Sequence, residues 1–372
     1  MQDIPEASDR LPDIPGITVP QLNYGPNVGG KDAPEPGATD GATFGVNIDG
    51  GGTDNEQVQN TGFVSTFKED RFGDGSDGDV VISSNTTLTS DMYYNNLTVN
   101  VGISLDTGGF RIFVKDTLTN NGHIHRDGND GGDGDSSAVP TPLGGAAGPA
   151  LAAGTIYGGL AGKVGGNGAT SIGDGQDGQD GSNQTESFAS DGVDGGDGGG
   201  AVSTGQGGDG GVATETIQPP RTMVFIQLMR EFSSDDTVKY IKTSASSGSG
   251  GGGHSFSTPG GEAGAGGGSG SSGGIVLIFA KTIVNNGIIS ADGGDGGDGG
   301  AASNVSNPRG GGGGGGAGSG GLVFLIYEYL TVPGTIRAAG GVKGLGGVSF
   351  NPSYNGQDGQ DGLPGKVIQL IT

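Results

Sequence analysis

"GIVLIFAKTIVNNGIISADGGDGGDGG", residues 274–300, sets an apolar run directly against a glycine run with an aspartate at every third place. In the first half, β-branched and aromatic residues are followed by Asn-Asn-Gly and a short apolar pair. That pattern reads as a strand, a turn and a second, shorter strand. The second half has no apolar side chain with which to build a core. How these halves fit together decides the fold.

The unit recurs. "FRIFVKDTLTNNGHIHRDGNDGGDG" from Phe110, "IVLIFAKTIVNNGIISADGGDGGDG" from Ile275 and "LVFLIYEYLTVPGTIRAAGGVKGLGG" from Leu322 align without a gap. Ile112, Leu277 and Phe324 correspond, as do Leu118, Ile283 and Leu330, and Ile124, Ile289 and Ile336. The turn glycines Gly122, Gly287 and Gly334 fall in register. A looser copy spans "TMVFIQLMREF" to "SSGSGGGG", and "KVIQLIT" at the C-terminus resembles the first strand of a further one. Upstream, Leu97, Val99, Val101, Ile103 and Leu105 alternate in the same manner. No segment has helical period. A single unit cannot bury its inner face alone, so the repeats predict an all-β fold of β-solenoid-like coils stacked on one another.

The glycine tracts suit polyproline II geometry, three residues per turn with no internal hydrogen bonds. In "GGDGGDGG" the aspartates then share one edge, and the other two edges carry only hydrogen. Neighbouring tracts can approach closely enough to exchange N–H to O=C bonds. Packed polyglycine II segments are therefore expected, with Asp facing water and Gly facing the bundle. Disordered loops and a collagen-like trimer are the rival readings, but collagen demands uninterrupted Gly-X-Y with abundant proline.

Composition agrees. Glycine supplies 88 of 372 residues, and there is no cysteine to staple the fold or bind metal as thiolate. The net charge of -24, from 41 acidic against 17 basic residues, argues against nucleic acid and for a solvated, self-repelling surface. The N-terminal stretch lacks the basic and apolar regions of a secretory signal, and no run approaches a membrane span. Its repeated prolines favour an extended arm. Three regions follow: an attachment region at 1–70, a β-rich region at 71–127, and a glycine-rich body with strand pairs and variable loops at 128–372.

The segment "DGDVVISSNTTLTSDMYYNNLTVNVGISLDTGGFRIFVKDTLTNNGHI" resembles segments of phage-type fibre proteins. Residues 128–372 are similar to the tail-fibre tip adhesins of T-even-type phages, in which polyglycine helices carry receptor-contacting loops. The resemblance implies a virion surface protein, a tail fibre, tail tip or capsid spike mediating host attachment. It would join other virion proteins through the N-terminal arm, bind a host receptor or glycan, insert into no membrane, and be compatible with a homotrimer. A secreted adhesin, an ice-binding-like protein and a tailspike depolymerase are the alternatives.

Signatures of catalysis are weak, and the expectation is a non-enzymatic protein without cofactor. His123 and His125 read as one inward and one outward strand residue. "GGDGGDGG" matches the first six places of a calcium-binding nonapeptide, but Gly300 stands where a large apolar residue is needed, which leaves Ca2+ a minor alternative. Glycosidase chemistry needs two carboxylates held across a sugar, and spacing singles out none. What remains is a set of non-glycine islands whose aromatics could contact a receptor: Tyr157, Phe188, His254, Phe256, Phe350 and Tyr354. For the strands, Ile289 is expected inside and Ser290 on the solvent face.

Overall fold

The computed structural model describes residues 71–136, 142–170, 174–180, 192–199, 208–212, 250–253, 263–302 and 309–372. All belong to the second of two compact units, Arg71–Thr372. Phe188, His254 and Phe256 lie outside the described residues, as does the loose repeat from Thr222 up to residue 249.

The strands are β1 (Gly78–Ile82), β2 (Thr86–Thr87), β3 (Met92–Val99), β4 (Ser104–Asp106), β5 (Ile112–Asn120), β6 (His123–His125), β7 (Ile275–Asn285), β8 (Ile288–Ser290), β9 (Leu322–Val332), β10 (Thr335–Arg337) and β11 (Lys366–Ile371). The only helical element among the described residues is a 3-10 turn at Pro352–Tyr354, and among those residues no helix is long and apolar enough to cross a membrane. Odd-numbered strands form one six-stranded sheet in the order β1-β3-β5-β7-β9-β11, and even-numbered strands form a five-stranded sheet, β10-β8-β6-β4-β2. Every pairing is parallel, so the chain alternates between sheets and each strand lies beside the one two places back. Regions 71–127 and 128–372 thus share both sheets.

Side chains from both sheets meet in one core, where Leu97, Leu105, Leu118, Ile124, Ile278, Ile283, Ile289 and Leu325 are fully enclosed. The six-stranded sheet is apolar on its other face too, where Ile275, Leu277, Phe279, Leu322, Phe324 and Ile326 cluster with Phe72 and Ile156. Burial on both faces explains why β7 and β9 open with continuous apolar runs rather than alternation. The turns stack as well. Asn120 donates from Nδ2 to Asn285 Oδ1 at 2.8 Å, and Asn285 donates to the Pro333 carbonyl at 2.7 Å, so both buried amides bind the turns of successive repeats together.

Three expectations need correcting. The gapless alignment fails in the first half of β5, where Ile112 pairs with Ile278 rather than Leu277 and the offset is absorbed by a register shift between Val114 and Thr117. Side chains alternate with period two, so that shift puts Phe113 on the Phe279 face, with ring centroids 4.7 Å apart. The Leu97–Leu105 alternation is not one strand: a turn at Gly102 (φ 74°) separates β3 from β4 and leaves Val101 80% exposed. Ser290 is fully buried rather than solvent-facing.

The glycine tracts continue the repeats. They are tracts 1 (126–135), 2 (142–154), 3 (158–169), 4 (174–180), 5 (192–199), 6 (208–212), 7 (250–253), 8 (263–274), 9 (291–302), 10 (309–321), 11 (338–349) and 12 (355–365). Tracts 1, 9 and 11 leave β6, β8 and β10, while tracts 8, 10 and 12 return to β7, β9 and β11. In tract 8 every N–H from Ala263 to Gly274 is bonded, and the acceptors rotate with period three: Ala169, Gly310 and Asp135, then Gly166, Gly313 and Gly132, and onward. Its carbonyls accept from tracts 2, 7 and 9. Tract 8 therefore has six bonded neighbours, as do tracts 7 and 10. The bonds define a hexagonal lattice in four layers, tracts 1-9-11, then 2-8-10-12, then 3-7-5, then 4-6.

Candidate functional site at the free end of the glycine lattice

Glycine is required here by close approach. A β-carbon on Gly296 would fall within 3.0 Å of the Gly315 carbonyl, and one on Gly297 within 3.0 Å of the Gly132 carbonyl. Side chains survive where a tract faces outward, and there they have a use. At each outward place the next tract presents an N–H with no tract beyond to receive it. Asp127, Asp130 and Asp133 accept from the N–H groups of Asp292, Asp295 and Asp298 at 2.7–2.9 Å. Asp292, Asp295 and Asp298 in turn accept from Ala339, Val342 and Leu345, each at 2.7 Å. On the adjoining edge Asp361, Asp358 and Asn355 accept from Lys343, Gly346 and Ser349. Asp358 is held below the usual carboxylate range first by the Gly346 N–H, with the Lys343 ammonium adding to it. Inside the lattice, Ser269, Ser271 and Ser272 do the same through Oγ for Lys163, Asn129 and Leu160. The aspartates therefore do not simply face water. They satisfy the lattice's edge donors, as N-cap residues do for a helix.

Tract directions place the connections. Tract 9 leads away from β8 and tract 10 leads back to β9, so Ala302 and Arg309 lie at the end remote from the sheets. By the same bonding the described residues flanking 137–141, 171–173, 200–207, 254–262 and 303–308 reach that end, together with the 350–354 turn. The described tract ends at these five places and the 350–354 turn thus converge on one free end of the lattice.

Of the aromatic candidates, the structure brings Phe350 and Tyr354 to this free end. Their turn is closed by Ser349 donating to Asn355 Oδ1 at 2.7 Å and Tyr354 donating to the Asn351 carbonyl at 2.9 Å. Tyr354 accepts from Gly311 through its carbonyl, and Phe350 stands 64% exposed. Tyr157 is not part of this group. It is half-buried at the sheet end, beside Ile156, which packs beneath β7 and β9 and donates to the Gly109 carbonyl at 2.9 Å.

A polar cluster at the junction of sheet and lattice was missed. His123 and His125 are not one inward and one outward, since residues two apart in a strand share a face. Their rings stack with centroids 4.6 Å apart, and Ile124 between them is the buried one. His123 Nε2 lies 2.6 Å from Ser290 Oγ, which donates to Asp127 Oδ1 at 2.7 Å. Burial is the main cause holding the His123 imidazole below its ordinary pKa, with His125 next. These are the residue types of a hydrolytic triad, but serine and aspartate meet the same ring nitrogen, with Asp127 Oδ2 3.5 Å from Nε2. A triad instead needs the acid on the opposite nitrogen and an accessible hydroxyl. The cluster ties β6 and β8 to the first rung of the aspartate ladder. Among the described residues, no group of three or more His, Asp or Glu side chains is arranged to hold a metal ion.

Comparison with protein-family models, curated proteins and solved structures returns no match.

Proposed function

We propose that this chain is a virion surface protein that presents host-recognition loops on a rigid post. On this reading the two sheets are successive coils of a β-solenoid-like stack, and the tracts are polyglycine II helices. The alternating strand order and the three-residue hydrogen-bond rotation support both assignments. The observation that carries the functional reading is the convergence of the described tract ends and the 350–354 turn on one end of the lattice. A lattice fixed by backbone bonds loses little entropy when a partner docks on its loops, and surface loops on a rigid scaffold are where recognition residues concentrate. Phe350 supplies an exposed aromatic anchor there, and the partner is a host receptor or surface glycan. The region 1–70 attaches the protein to the particle. The protein acts by binding, not by catalysis.

The test is immunogold labelling of particles from the source with an antibody to residues 71–372, together with binding of the purified chain to an array of bacterial surface polysaccharides and outer-membrane vesicles. The reading requires gold on particles and a signal that falls at least about tenfold in Phe350→Ser/Tyr354→Ser, a loss of roughly 1.4 kcal/mol. Unlabelled particles, or binding indifferent to every loop substitution at the free end, would overturn it.

A further inference from the structure

Tracts 1, 9 and 11 form one flat outer layer, and their outward positions are equivalent by lattice symmetry. Tracts 1 and 9 put aspartate there because each must receive the N–H of the next tract. Tract 11 ends the layer, so its outward residues have no such donor to satisfy and the lattice leaves their identity free. Solubility alone would fill them with polar residues. They are instead Ala339, Val342, Leu345 and Val348, with the last three 63%, 54% and 61% exposed. At three residues per turn these knobs repeat about every 9 Å along the tract. One side of the row is flanked by Asp295 and Asp298, which have no ion pair among the described residues; on the other side lie Asp361 and Asp358, and there Lys343 Nζ already pairs with Asp358 at 2.9 Å.

We propose that this row is a docking surface for a protein partner presenting an apolar strip rimmed by lysine or arginine. Exposed apolar residues scattered singly are ordinary, whereas exposed apolar residues gathered on one face mark interaction sites. The Asp295 and Asp298 carboxylates choose the partner's charge on their side: like charges opposed across an interface are disfavoured, while a basic rim is steered in. A second copy of this chain would bring the same acidic rows into opposition, and an anionic lipid surface would be repelled. The inference concerns the side of the post and stands whether or not its free end binds a host.

The probe is a synthetic amphipathic helical peptide with a leucine stripe rimmed by lysines. Its binding to the full chain is followed by fluorescence anisotropy beside two controls, one with glutamate for lysine and one with serine for leucine. The proposal requires binding of the first peptide alone, weakened at least about tenfold by Val342→Ser/Leu345→Ser and, separately, by Asp295→Asn/Asp298→Asn. The asparagines keep the ladder intact, since Asn355 and Asn167 already accept backbone N–H groups in this lattice. Val212→Ser, at another exposed position in the layer farthest from this face, should change nothing. Equal binding of the serine peptide would reduce the site to charge alone and overturn the proposal. So would unchanged affinity in Val342→Ser/Leu345→Ser, or sedimentation showing that this row holds two copies together.

Discussion

The strand layers and the glycine lattice belong to the same repeat but use opposite packing rules. Around Ile289 the backbones of the two sheets are separated by side chains, and stability comes from filling that space. Around Gly297 the backbones themselves touch, and stability comes from leaving no side chain at all. Apolar burial stabilises the first by about 25 cal/mol per Å2. The second gains almost no apolar burial and relies on every N–H being satisfied, by a carbonyl or a serine hydroxyl inside and by Asp or Asn at the edge. The sign of a substitution should therefore reverse between them: removing atoms damages the sheets, and adding atoms damages the lattice.

The largest effect is expected in the sheets. Ile289→Asp places a carboxylate without a partner in the enclosed core and should cost about 4 kcal/mol or more, while Ile289→Val costs about 1 kcal/mol. Urea unfolding followed by circular dichroism gives both values, and equal values would mean that Ile289 is not enclosed. Next is Gly296→Ala/Gly297→Ala. Each methyl meets a backbone carbonyl, and overpacking of this kind costs about 1–3 kcal/mol per site. A raised thermal midpoint would instead be the response of a loose loop, in which alanine only lowers the entropy of the unfolded chain.

A smaller effect tests the ladder. Asp295→Ala leaves the Val342 N–H without its acceptor and should cost about 1 kcal/mol, with faster amide exchange confined to Val342, while Asp295→Asn retains most of the protection. Unchanged exchange at Val342 in Asp295→Ala would remove the ladder from the account. The smallest concerns pH. His123 has a folded pKa below its ordinary value of 6.5, so as pH falls the unfolded chain takes up the proton first. Stability should be unaffected by this group above that value and should decline as pH falls from about 6.5 toward the lower folded pKa. His123→Gln should flatten that part of the profile, and a variant as pH-sensitive as the parent would exclude His123 as its source.

Much of this contrast was legible in the sequence. The period-two runs, the Asn-Gly turns and the three-residue spacing of aspartate gave strands, repeats and packed tracts directly. Contacts between residues far apart were not legible. The N–H that Asp130 receives comes from Asp295, and the bulge between Val114 and Thr117 is visible only against β7. The same distance hid Ser290, a small polar residue whose burial depends on His123 and Asp127 in another repeat. The free end could not be located either, because it depends on which way each tract runs. That is why Tyr157, grouped with Phe350 by composition, lies at the other end.

Amide hydrogen exchange of the full chain tests the central claim most directly, comparing Ala263–Gly274 with the adjoining strand Ile275–Asn285. In tract 8 every N–H has a carbonyl acceptor and every residue is buried. Its amides should therefore exchange as slowly as those of β7 and open with them as one cooperative unit. Rapid exchange from Ala263 to Gly274 beside a protected Ile275–Asn285 would contradict the lattice and leave the strand layers to stand alone.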